Sequence, residues 1–379
     1  MAPVMRQSMC SLVIATAIAV SGCQGVHSQP VSRGPSAEPV NRDLSIGPCA
    51  VHAVTRPPAS VAVTWVKIGF WHGETSIINL IALADGSFIV KAETPGTTNN
   101  GPGLGGPGTD YVYRVDASGR ILEHRQDWGV EGRYSSIDLT YFFSYGPGGP
   151  VMWRDQAGAT HTVPGNPDGG LFRDLAGRFW QLVLYSDGRP GALWVSDETG
   201  HGSTKIDLGG DSLTAAAAGC DGAVWALASN GHIWRIGAGG QAPRVVMSLP
   251  VGTGVFGSRP YDTGRFTAMS DGSVWLTTSR DDQTIPISER EDLHLIHLDA
   301  HGPIAEVIRP LTATFSDWAE GPDGALWATE LGSGLIRLST RGVTSFYPAP
   351  AAGQFLTQDT RGELWTTCQP ALCTLTPIW

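Results

Sequence analysis

Lysine is almost missing from this chain. Only Lys67, Lys91 and Lys205 occur among 379 residues, the net charge is -10, and no basic run is present anywhere. A nucleic-acid binder needs a clustered positive face to displace counter-ions from phosphates, so no nucleic-acid partner is expected. Long apolar stretches are equally scarce. The run SLVIATAIAV, 11–20, is too short to cross a bilayer, and at 41% hydrophobic residues the chain is too polar for a multi-span membrane protein yet long enough to bury a large core. What it has in excess is glycine and proline, 49 and 26 residues, scattered between short apolar runs. That distribution reads as turns punctuating strands, and an all-β fold is expected.

Residues 1–22 have the layout of an export signal: Arg6, the short apolar run, then Val-Ser-Gly before Cys23. VSGC at this place resembles the bacterial lipobox, in which cleavage leaves an N-terminal Cys that receives a diacylglyceryl chain. Cys23 is therefore the expected lipidation site, with an ordinary cleaved signal as the alternative. Acyl chains at about 0.8 kcal/mol per buried CH₂ would hold the protein at a membrane surface, in the periplasm or on the cell exterior. Residues 23–60, including SQPVSRGPSAEPVNRD, read as a flexible tether, and the folded body is expected over 61–379.

Export implies an oxidising compartment in which the remaining cysteines can pair. Cys368 and Cys373 flank a short loop in LWTTCQPALCTLT and are expected to bridge that hairpin. No His or second Cys pair stands nearby to suggest zinc. Cys49 and Cys220 pair or stay free; spacing does not decide.

One phrase recurs through the body. LAGRFW, CDGAVW, SDGSVW, PDGALW and TRGELW place Gly, any residue, an apolar residue and Trp in order, ending at Trp180, Trp225, Trp275, Trp327 and Trp365. Separations of 38 to 52 residues match the period of a four-stranded propeller blade. One unit reads in full as TFSDWAEGPDG, ALWATELGSG, LIRLSTRG and VTSFYPAP, four strand-like runs divided by Gly-containing turns. The Gly is expected to supply a positive-φ turn after the innermost strand, and the Trp to fill the space between blades. LADGSFIV keeps the turn but puts Ile89 in the Trp slot, and a degenerate unit is expected around YFFSYGPGGPVMW, 141–153. That makes seven blades; six is the other count. The run VAVTWVKIGF, 61–70, has no blade of its own, whereas the last blade ends after three strands, so the N-terminal run is expected to close the ring there.

Tight Gly turns would occupy one face of such a ring, and the long irregular segments the other: 94–110, 128–136, 250–265 and 279–292. Long loops on one side of a rigid scaffold are a binding face. Its candidate residues are Arg133, Tyr134, Arg259, Tyr261, Asp262, Arg265, Arg280, Asp281, Asp282 and Glu330. In HLIHLDAH, His294 and His297 stand three apart on a strand and project to opposite sides, and His301 falls in the next turn, so no metal site is expected there.

The blade GPDGALWATELGSGLIRLSTRGVTSFYPAP resembles the repeat of the streptogramin B lyase, or virginiamycin B lyase-like, propellers, and the likeness extends over about half of the chain. It implies a seven-bladed ring. For an enzyme it also implies a magnesium ion and a His general base beside metal-binding glutamates, opening a cyclic depsipeptide by elimination. Glu330 stands in the Glu place and is the only catalytic candidate. The matching positions in other blades are Val183, Ala228, Thr278 and Cys368, none of which binds magnesium as a carboxylate does. The expected function is binding of a small molecule, glycan or protein by a lipid-anchored propeller without a cofactor, and the alternative is a magnesium-dependent C–O lyase.

Overall fold

The computed structural model describes Cys49 and residues 56–379 apart from 72, 73, 75, 95–109, 127–139, 144–149, 155–158, 164–169, 184–190, 198, 200, 239, 240, 250–264, 280–291, 311–314, 331–333, 350–352, 354 and 370. Its strands form seven antiparallel sheets in chain order. Blade one comprises Ser76–Ala82, Phe88–Glu93, Asp110–Val115 and Ile121–Gln126. Blade two contributes Tyr141–Phe143 and Met152–Arg154, at the stretch marked as degenerate, and Thr160–Thr162 beyond it. Blades three to six begin with the innermost strands Gly170–Arg173, Leu213–Ala218, Arg265–Ala268 and Phe315–Glu320.

Blade seven holds Leu356–Gln358, Leu364–Thr367 and Leu372–Ile378, and its outermost strand is the N-terminal Ser60–Val66, paired from Ser60↔Ile378 to Val66↔Leu372. Leu356–Gln358 packs beside Phe315–Glu320 on one side and Ser76–Ala82 on the other, which closes the ring at seven blades rather than six. The seam between blades seven and one has its own clasp. Gln369 accepts the Ile77 N–H at 2.8 Å and donates to the Ile77 carbonyl at 2.9 Å, where a β-bulge at Ile77/Asn79 frees those groups from the ladder.

The recurrent phrase builds the same turn six times. Gly86, Gly177, Gly222, Gly272, Gly324 and Gly362 have φ between 68 and 87°, and each N–H returns to the carbonyl three residues back, from Leu83, Asp174, Gly219, Met269, Gly321 and Asp359. Only glycine enters that region of φ without steric cost. The following indoles are the largest fully enclosed side chains: Trp180, Trp225, Trp275 and Trp327 are wholly buried and Trp365 nearly so. Each packs on the next blade, as Trp180 does on Leu213 and Val224, and Trp365 on Phe88 and Tyr113. Truncating one to Ala would cost about 3–5 kcal/mol.

Turn carboxylates fix three of these indoles. Trp180, Trp327 and Trp365 donate Nε1–H to Asp174, Asp323 and Asp359 at 2.8, 2.8 and 3.2 Å. Gly321 permits the approach in blade six, since a Cβ there would lie 2.2 Å from Trp327 Nε1. An arginine on the third strand, directly across from the Trp slot, completes the unit: Arg337 beside Trp327, Arg235 beside Trp225 and Arg114 beside Ile89. These arginines pair with the turn carboxylates Asp323, Asp221 and Asp85.

Both cysteine questions are answered. Cys368 and Cys373 are bonded across the hairpin that carries Gln369, and Cys49 is bonded to Cys220 in the blade-four turn. The segment read as free tether up to residue 60 is therefore held at Cys49, which is buried among Phe172, Trp180 and Leu213. It is held again at Pro58, whose carbonyl accepts the Tyr347 hydroxyl at 3.1 Å.

Candidate functional site at the loop-rich end of the axial channel

In six of the seven antiparallel blades the innermost strand starts at one end of the ring and finishes at a tight Gly turn. The long segments begin and end at the opposite end: 95–109 joins Glu93 to Asp110, 127–139 follows Gln126, 250–264 precedes Arg265, and 280–291 joins Ser279 to Asp292. The topology thus puts the described residues that flank all four segments at the same end of the ring. Of the candidate residues, Arg265 and Glu330 are described. Arg133, Tyr134, Arg259, Tyr261, Asp262, Arg280, Asp281, Asp282 and the lipidation candidate Cys23 lie outside the described residues.

Arg265 is the first residue of the blade-five innermost strand and forms an ion pair with Asp317 on the innermost strand of blade six. Asp317 is buried and also accepts the backbone N–H of Leu356 at 3.3 Å, the first residue of the blade-seven innermost strand, and that of Trp318 at 3.3 Å. Three successive blades are tied together at the channel mouth by one carboxylate. A register shift between Phe315 and Trp318 turns Asp317 out of the ladder toward its partners.

The Arg265 side chain keeps 49% of its surface accessible, yet the protein around it desolvates the guanidinium and lowers its pKa. Phe266 packs toward blade four, so Arg265 and Thr267 face blade six. Leu356 and Gln358 face blade six from the other side, as their neighbours Leu364 and Ala319 show.

Glu330 ends the second strand of blade six, opposite Phe315 and Gly334, and is half-buried. Among the described residues no three His, Cys, Asp or Glu side chains converge on one point. The histidines are engaged separately. His294 meets Glu306 at 2.7 Å, whereas His297, on the opposite side of the strand, is buried, stacks on Trp275 at 4.7 Å and bonds Ser273 and the Thr340 carbonyl.

An aromatic cluster lies where the N-terminal strand of blade seven leads into blade one. Trp71 follows the outermost strand of blade seven, is 60% exposed, and lies 4.2 Å from His124. Below it Tyr113 donates its hydroxyl to the buried carboxylate of Glu74; burial, then that carboxylate, pushes the phenol pKa up.

No family model matches the chain, and no curated relative matches it. Solved structures do share its architecture. A virginiamycin B lyase from Staphylococcus aureus is 14% identical with a TM-score of 0.50, over 84% of this chain and 100% of that one. An oligogalacturonate lyase in complex with manganese is 12% identical with a TM-score of 0.53, over 85% and 95%. A β-propeller domain from Myceliophteria thermophila is 10% identical with a TM-score of 0.50, over 84% and 100%. The chain is a seven-bladed β-propeller. At these identities the likeness establishes the fold alone, since one ring serves lyases and binding domains alike.

Sequence reasoning missed Asp317, Gln358 and Trp71. A signal was present for the first: among the described innermost strands only FSDWAE has a carboxylate before its apolar centre.

Proposed function

We propose that the protein is an exported lipoprotein, anchored through Cys23, whose propeller binds a ligand or partner at its loop-rich end and catalyses no reaction. Two disulfides in a chain with only six cysteines support an oxidising compartment. The observation that carries the reading is the Arg265–Asp317–Leu356 bridge at the same end as the four long segments. A charged pair built into three blades at the mouth of a channel is a preformed recognition element on a rigid frame. Arg133, Tyr134, Arg259, Tyr261, Asp262, Arg280, Asp281, Asp282 and Glu330 would supply the surrounding contacts. The binding reading includes no resident cofactor.

The test is crystallography of the full chain soaked with a mixed panel of small acids, sugars and short peptides. A molecule seated at the loop-rich end supports the reading; occupancy confined to the tight-turn end overturns it. Opening of a streptogramin B ring by the purified protein with magnesium would overturn the non-catalytic part, and retention of Cys23→Ala in the membrane fraction would overturn the anchor.

A further inference from the structure

The outermost strand of a blade presents one row of backbone N–H and C=O groups that no neighbouring strand satisfies, and six of the seven blades blunt that edge. Blade one places Glu123 and Arg125 in Ile121–Gln126, blade four Pro243 and Arg244 in Gln241–Ser248, and blade five Pro303 and Glu306 in Gly302–Pro310. Blade six ends its edge strand on Pro348, and the edge strands of blades two and three are short, Thr160–Thr162 and Thr204–Lys205. Blade seven has none of these devices. Its edge strand Ser60–Val66, SVAVTWV, has no charge and no proline, and it pairs with Leu372–Ile378 over its whole length without a register shift. Trp65 on that strand is 56% exposed, and the other exposed tryptophans among the described residues, Trp71 and Trp379, follow the two outer strands of the same blade. The surroundings are neutral as well. No Asp or Glu occurs from Leu44 to Gly73, and no charged side chain from Leu364 to Trp379, in a chain with 35 acidic residues.

We infer that this edge is the interface of a homodimer, in which Ser60–Val66 pairs antiparallel with the same strand of a second copy and joins two four-stranded sheets into one. The inference is independent of the reading of the loop-rich end. Backbone groups decide the class of partner: an open row of N–H and C=O is satisfied by another strand and not by lipid, so the exposed tryptophans do not make this a membrane-facing surface. Charge favours a second copy. At a net charge of -10 two copies repel over most of their surface, and the neutral outer strands of blade seven are where they approach without that cost. The nearest charges along the segment, Arg56 and Lys67, fall outside the paired residues. Outward-pointing groups alternate along an antiparallel edge, so residues pair only with residues of the same parity, and a twofold axis through Val63 gives the one register that pairs all seven. It sets Trp65 against the partner's Val61, on the side of the sheet where Val61 and Val63 pack with Tyr347. An indole and an isopropyl group at equal distances from the centre make the strand complementary to itself, and the contact closes as a dimer.

Sedimentation velocity of the full chain tests this in a non-ionic detergent, which shields any acyl group from driving association. A dimer with a dissociation constant on the order of micromolar is expected, as a small interface allows. Thr64→Lys and Trp65→Lys each put a pair of cations on the shared edge and should weaken association by roughly tenfold or more. Both side chains are exposed, and unchanged melting at high dilution shows that the ring is intact in the variants. Thiol cross-linking reads the register. The thiol of Thr64→Cys would stand about 7–8 Å from its equivalent across the axis and should be joined by a short bis-maleimide, whereas that of Ser60→Cys would lie roughly 20 Å from its own equivalent and should not. A chain that stays monomeric up to about 100 μM, or a dimer that both lysine variants leave intact, overturns the inference. Cross-linking through Ser60→Cys in preference to Thr64→Cys overturns the pairing about Val63. Binding of a monomeric chain to phosphatidylcholine vesicles that Trp65→Lys abolishes overturns the homodimer in favour of a lipid surface.

Discussion

Asp323 and Asp85 occupy the same place in blades six and one, each just before the turn glycine and each paired with a third-strand arginine, but they differ in burial. The Asp323 and Arg337 side chains are 0% and 4% accessible, and Arg337 Nε donates to the carboxylate at 2.5 Å. The Asp85 and Arg114 side chains are 47% and 29% accessible. Asn at either position keeps the shape and an acceptor oxygen for the turn N–H groups, so Asp323→Asn and Asp85→Asn isolate the charge. In blade six the change strands a guanidinium in the core beside Trp327. Removing one partner of a buried pair costs about 3–5 kcal/mol. In blade one water replaces the lost partner, and the expected cost is about 0–1 kcal/mol. Urea unfolding followed by Trp fluorescence reads the difference without screening the charges. The double variant Asp323→Asn/Arg337→Met removes the orphaned cation and should recover part of the loss. Equal destabilisation of the two single variants would refute the claim that burial, and not position in the repeat, sets the strength of the Asp–Arg unit.

Three further outcomes are expected. Gln369→Ala leaves the Ile77 N–H and carbonyl unpaired at the ring seam and should cost roughly 1–3 kcal/mol; an unchanged melting temperature would show that the seam does not depend on the clasp. Cys49→Ser/Cys220→Ser opens a cross-link spanning 171 residues and should destabilise the protein by about 2–5 kcal/mol in denaturant titration, whereas no loss would mean that the staple adds nothing to the native ring. His297 donates Nδ1–H to the Thr340 carbonyl at 2.8 Å and meets the Ser273 hydroxyl at 2.7 Å, and burial pulls its pKa below the ordinary histidine value. The unfolded chain then binds a proton first as pH falls. Stability should therefore decline below roughly pH 6.5 until the folded value is passed, and His297→Gln should flatten that part of the profile. A wild-type profile as flat as the variant's would contradict it.

The period of Gly and Trp was enough to read the blades, the tight turns and the closing strand from residues alone, because each depends on local chemistry. A left-handed turn needs Gly324 within its own blade, and an indole such as Trp327 fills whatever blade comes next. Ring closure by Ser60–Val66 was legible for a related reason: an unmatched strand at one end and a three-stranded blade at the other leave two edges that only each other can satisfy. The loop-rich end was legible only as a face. That Arg265 would meet Asp317, 52 positions later, and that Asp317 would reach the Leu356 N–H, follow from the spacing of innermost strands around an axis. No local pattern encodes that spacing. The pairing of Cys49 with Cys220 and the clasp of Gln369 on Ile77 have the same character, being contacts between segments brought together only once seven sheets have closed. Side-chain type and turn chemistry act over a few residues, whereas the groups that meet at the channel mouth are set by the radius of the ring, which only the packed structure defines.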